Sequence, residues 1–136
     1  MNFDLKIAFK AATMPALALI AMTIIMYVLA AFGLRINGLI PIPIYFAILG
    51  YAGYNSVKAF KLDLLNGATT GAIASLLSMI VTIITGFQSI LGYFILLSVS
   101  NESLIIIFAI LIFLLLLSLV IGFIFGIIGA YIAKKK

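Results

Sequence analysis

Side chains able to do chemistry are scarce in this chain. Three carboxylates, Asp4, Asp63 and Glu102, are its only acids, and it has neither histidine nor cysteine. The commonest general base and metal ligand is therefore missing, and so are thiolate nucleophiles and disulfides. A carboxylate inside a membrane usually marks ion coupling. Here each acid stands beside an apolar run and none stands within one, and Asp63 shares its short polar stretch with Lys58 and Lys61. Every serine inside an apolar run lacks the histidine or lysine partner that would activate it as a nucleophile. An enzyme is not expected, and neither is a cofactor or a metal.

Weaker chemistry is left to hydroxyls, amides and lysines. Thr23, Ser78 and Ser118 fall near the middle of three apolar runs, with Tyr51 close to that depth in a fourth. Such a layer could line a path for a small solute. Its ordinary alternative is that each Ser or Thr bonds the carbonyl one turn back on its own helix. The stretch Gly50-Tyr-Ala-Gly53-Tyr54-Asn55-Ser56-Val-Lys58 is the densest polar cluster in any apolar run. Tyr54, Asn55, Lys58 and Lys61 could hold a lipid headgroup, although Tyr at that depth is also an ordinary aromatic-belt residue.

Small residues give the most regular spacing. Ser118, Gly122, Gly126 and Ala130 recur at every fourth position, and Gly67 and Gly71 open a face continued by Ala74, Ser75, Ser78, Thr82 and Gly86. Stripes of this kind let helix backbones approach closely where lipid supplies no hydrophobic drive. They serve contacts within one chain or between copies, and spacing alone leaves both open.

The elements that carry these residues follow from the charge pattern. Nothing charged lies between Lys10 and Arg35, Arg35 and Lys58, Asp63 and Glu102, or Glu102 and Lys134. Charged residues make up 8% of the 136 residues and hydrophobic ones 67%, with a mean hydropathy of +1.45. A soluble domain carries about a quarter charged residues, so this chain could not cover a water-facing surface. The net charge of +5 sits in short groups beside apolar runs, which suits anionic lipid headgroups rather than nucleic acid.

A bilayer core needs roughly 20 apolar residues per helix. The gaps therefore predict an all-α, polytopic membrane bundle in a single domain over residues 1–136. Its four transmembrane helices are expected at about 13–34, 43–57, 67–86 and 103–133. The first run is too long for a signal-peptide core of about 7–15 residues. Pro15 is expected in the first turn of its helix, and the Pro41–Pro43 approach to the second is expected to be extended. At 1.5 Å per residue the last span would reach about 45 Å, so it must tilt or protrude. Residues 87–100 form either an interfacial helix, with Phe87, Ile90, Leu91 and Phe94 at helical spacing, or a continuation of the third span.

With four spans, Lys6, Lys10, Lys58, Lys61 and Lys134–Lys136 share one side, and Arg35 stands alone on the other. The positive-inside rule then places both termini in the cytoplasm, in a multi-pass protein of the cytoplasmic membrane.

The series Pro41-x-Pro43, Gly50-Tyr-x-Gly53-Tyr54 and Asn66-Gly67-Ala-x-x-Gly71-Ala72-Ile73 resembles small four-helix membrane proteins of unknown function found in many archaeal genomes. The resemblance spans residues 41–74. It implies the same four-span architecture and supplies no activity.

The small-residue stripes, without any catalytic set, point to a non-catalytic subunit that packs in a homo-oligomer or against another membrane subunit, among membrane lipids. The alternative is a small oligomeric transporter, channel or lipid translocator whose path runs past the hydroxyls.

Overall fold

The computed structural model describes residues 4–34, 36–37, 39–96 and 101–136. Its described side chains exclude those at 87–91, 93–96, 101 and 103. These residues form four α-helices: α1 (Leu5–Ala31), α2 (Pro41–Phe60), α3 (Leu64–Leu96) and α4 (Asn101–Lys135).

Local chemistry sets the helix ends. Asp4 caps α1, its carboxylate accepting from the backbone N–H groups of Lys6 at 3.0 Å and Ile7 at 3.2 Å. That cap starts α1 two turns before the expected position 13, because a side-chain acceptor for orphan N–H groups outweighs the loss of apolarity at Lys6 and Lys10. Pro15 consequently lies in the helix interior, not in the first turn. It has no N–H to offer the carbonyl of Ala11 one turn earlier. Gly33, at φ +78°, ends α1 in the left-handed conformation, with Leu34 N–H donating to the Leu29 carbonyl at 2.9 Å.

The expected extended approach to α2 is a helical first turn instead. Asn37 forms the preceding turn by accepting from the N–H groups of Leu39 and Ile40. Pro41 and Pro43 then occupy the first turn, where missing N–H groups cost nothing. At the far end, Lys61 adopts a left-handed backbone (φ 52°, ψ 36°), and Leu62 N–H donates to the Ser56 carbonyl at 3.1 Å. Three residues, 61–63, join α2 to α3.

α3 runs unbroken to Leu96, which is the continued-span alternative for this segment. The side chains of Phe87, Ile90, Leu91 and Phe94, and residues 97–100, lie outside the described residues. α4 carries Glu102 in its first turn and Lys134 and Lys135 in its last, each complementing the helix dipole. Lys135 also sits over the Tyr131 ring, 5.0 Å from its centroid.

Consecutive helices are antiparallel. Tyr45 meets Ser75, Gly71 meets Gly122, and Met14 shares a cleft with Asn55. The alternation brings Lys6, Lys10, Lys58, Lys61 and Lys134–Lys136 to one end of the bundle. α2 and α3 touch each other and both flanking helices, whereas α1 and α4 make no contact among the described residues.

Burial is inverted relative to a soluble protein. Among the described residues the apolar core is almost entirely alanine, at positions 8, 11, 12, 16, 52, 68, 72, 74, 130 and 133, with Leu19 and Leu49 as its only large members. Phe32, Ile84, Ile105, Phe108, Phe113 and many other large apolar residues face outward. Small residues inside and large apolar ones outside suit a lipid solvent, in which helices associate by close backbone approach. Three helices, over Leu5–Ala31, Leu64–Gly86 and Leu104–Lys135, are long and apolar enough to cross a membrane. α2 falls short because two prolines and the Tyr51–Lys58 cluster dilute its 20 residues. It contacts all three other helices, through a face in which Leu49, Ala52, Gly53 and Ser56 are buried.

Candidate functional site

The small-residue stripes of α3 and α4 meet each other inside the chain. Steps of four up α3 oppose steps of four down α4. A Cβ added to Gly126 would stand 2.7 Å from the Gly67 carbonyl oxygen, and one on Gly122 would stand 2.5 Å from that of Gly71. Added to Gly67, a Cβ would lie 2.5 Å from the Ala130 methyl. α2 enters the same seam: a Cβ on Gly53 would overlap the Gly126 carbonyl, and one on Gly129 would overlap the Gly50 carbonyl. Three backbones thus touch along one line, and nothing larger than hydrogen fits between them at these positions.

One further step along the stripe replaces glycine by serine on both helices. Ser75 Oγ and Ser118 Oγ lie 2.7 Å apart, and the Tyr45 hydroxyl lies 2.6 Å from Ser75 Oγ. This chain ties α2, α3 and α4 together with both serines buried. Its three hydroxyls lend and accept protons among themselves, and no charged side chain among the described residues lines it. In a low-dielectric interior each link also removes the cost of an unpaired polar group.

The expected polar layer is only partly assembled. Ser118 joins the chain. Thr23 instead donates to the Leu19 carbonyl of its own helix at 3.0 Å, and Ser78, buried on α3, takes no part in these links. Tyr51 points outward, 57% exposed. Tyr45 escaped the sequence reading because nothing in its spacing marks it. Ser75 was legible as the residue one turn beyond Gly71, directly opposite the residue one turn before Gly122.

The polar end of α2 splits between two surroundings. Ser56 faces the seam, its hydroxyl donating to the Gly53 carbonyl at 2.7 Å. Tyr54 lines a cleft of about 370 Å³ between α2 and α4, where Phe46 and Phe125 stack at 4.4 Å. Asn55 lines another cleft, between α1 and α2, and Lys58 and Lys61 are exposed at the helix end. The four candidate headgroup residues therefore do not form one pocket. A third cleft, of about 460 Å³ between α1 and α3, includes Thr23, Tyr27 and Thr85. Each of these clefts is bounded by a single helix pair. No group of three acidic, histidine or cysteine side chains comes together among the described residues.

No protein-family model, curated protein or solved structure matches the chain. The resemblance noted above remains one of glycine and proline spacing.

Proposed function

We propose that this chain crosses the membrane four times, with both termini in the cytoplasm, and acts as a non-catalytic structural subunit among other membrane helices. The carrying observation is the α2–α3–α4 seam. Backbones in contact at Gly53–Gly126 and Gly71–Gly122 leave no space for a helix to slide or a solute to pass. The polar groups one turn further on are spent on one another. α2 crosses with one face, Leu49, Ala52, Gly53 and Ser56, packed against its neighbours and the opposite face turned to lipid. Seven lysines at one end and Arg35 in the opposite connection orient the unit.

The stripes are used within the chain, so association with other helices falls to the large apolar residues outside them. α4 carries the most prominent set, with Phe108, Ile112, Phe113 and Leu116 all exposed. Single cysteines at these four positions, in a chain with none of its own, test the reading by oxidative cross-linking in native membranes. Cross-links confined to one side of α4 are expected. A protein that is monomeric in bilayers and cross-links at none of the four positions refutes it.

The alternative, a small transporter or channel, draws on the α1–α3 cleft with Thr23, Tyr27 and Thr85. It predicts solute flux in liposomes above that of protein-free controls, lost on Thr23→Val.

A further inference from the structure

The cleft between α1 and α2 combines features that a plain lipid-facing groove lacks. It encloses about 550 Å³ and is walled by Met14, Pro15 and Ala18 of α1 and Ile44 and Ile48 of α2. That volume lies within the range of small-ligand sites, about 300–1,000 Å³. Two polar side chains, Tyr51 and Asn55, complete the wall on α2. Neither makes a hydrogen bond to another described residue, although Asn55 is half-buried. Its amide reaches the cleft surface and not a protein partner, which leaves its N–H groups open to a ligand. A ligand with acceptor oxygens at that level would take up those donors.

Charge gathers at one mouth of the same cleft. Lys58 lies one helical turn beyond Asn55 on α2, and Lys10 lies one turn before Met14 on α1, both exposed. Because the two helices are antiparallel, these steps lead toward the same end of the bundle. No carboxylate lines the cleft. The acids nearest in sequence, Asp4 and Asp63, stand at helix ends, and Asp4 is engaged by the α1 amides.

We propose that this cleft binds one anionic phospholipid from the leaflet on the lysine-rich side. Its acyl chain lies along the Met14–Ile44 walls, its phosphate lies between Lys10 and Lys58, and its ester oxygens accept from Asn55 and Tyr51. A second copy of the chain is a poorer occupant, because a two-fold contact here would bring the same lysines toward one another. A lysine pair meets a phosphate by charge-assisted hydrogen bonding, and the long side chains reach the headgroup level without leaving their helices.

The test is native mass spectrometry of the full chain released from nanodiscs containing equal amounts of a phosphatidylglycerol and a phosphatidylcholine. One phosphatidylglycerol retained per chain is expected. Retention should fall about tenfold in the pair Lys10→Gln/Lys58→Gln, as expected when about 1.4 kcal/mol is lost. Asn55→Leu should also reduce it, with helicity by circular dichroism unchanged. Lys134→Gln/Lys135→Gln, far from the cleft in sequence, should retain the lipid as the unaltered protein does.

Equal retention of the two lipids overturns the proposal, as does an equal loss in both lysine pairs. Retention of added tail-free glycerophosphoglycerol equal to that of the intact lipid also overturns it. So does a lipid-free dimer cross-linked through Asn55→Cys, which assigns the cleft to a second copy. Lipid count and subunit count are read from the same spectrum, so this proposal and the structural-subunit reading fail separately.

Discussion

Ser75 Oγ and Ser118 Oγ, on antiparallel helices and 43 residues apart in sequence, lie 2.7 Å from each other in the middle of the bundle. They continue the register in which Gly71 faces Gly122, and Tyr45 extends the link to α2. Interhelical hydrogen bonds in membranes average about 0.6 kcal/mol, because the unassembled helices also find partners. Ser75 sits at the centre of two such bonds. Ser75→Ala should therefore cost about 1 kcal/mol, and Ser118→Ala or Tyr45→Phe about half as much. A double-mutant cycle for Ser75 and Ser118, measured by unfolding in mixed micelles, should give a coupling of at least several tenths of a kcal/mol. Strict additivity would show the contact to be energetically silent.

Glycines in the seam and outside it should respond in opposite senses to the same added methyl. Gly71→Ala and Gly122→Ala push a Cβ into the facing backbone, and overpacking of this kind costs about 1–3 kcal/mol. Gly86 is also helical, but a Cβ there meets nothing within 4 Å. Gly86→Ala should leave stability unchanged or raise it by up to about 1 kcal/mol through helix propensity. Thermal unfolding of the three variants in one detergent decides the point, and equal effects at all three positions would count against the seam.

Lys61 holds a left-handed backbone that costs a non-glycine residue about 1–2 kcal/mol. Lys61→Gly should relieve part of this at the α2–α3 turn. A higher unfolding midpoint is expected, by about 1 kcal/mol in free-energy terms once the greater entropy of the unfolded glycine chain is set against the gain. An unchanged or lower midpoint would mean that the lysine side chain contributes something the turn geometry does not reveal.

Whether α2 crosses the bilayer can be read directly, because the chain lacks cysteine. Leu39 and Lys61 flank α2 and are both exposed. On intact cells a membrane-impermeant maleimide should label Leu39→Cys. Lys61→Cys should react only after permeabilisation. Labelling of both from the same side would place α2 on the membrane surface and remove the four-span arrangement.

The alternation of charge-free runs with lysine groups already determined that the chain is helical, that it has helices apolar enough to cross a membrane, and how many helices it forms. Those properties depend on solvent preference, which is a sum over residues and survives without knowledge of any contact. Helix ends were less legible. Asp4 and the prolines at 41 and 43 act through individual N–H groups, and a count of apolar residues does not register them.

The stripe spacing of Gly67, Gly71, Gly122 and Gly126 also stood in the sequence, but its partner did not. Only the tertiary structure decided that the two stripes face each other within one chain, that Ser75 rather than Thr23 joins Ser118, and that Tyr45 rather than Tyr51 turns inward. Helical periodicity fixes which residues share a face, whereas the choice of facing helix depends on how closely two backbones can approach. That is settled by shape between segments distant in sequence, and no local pattern encodes it.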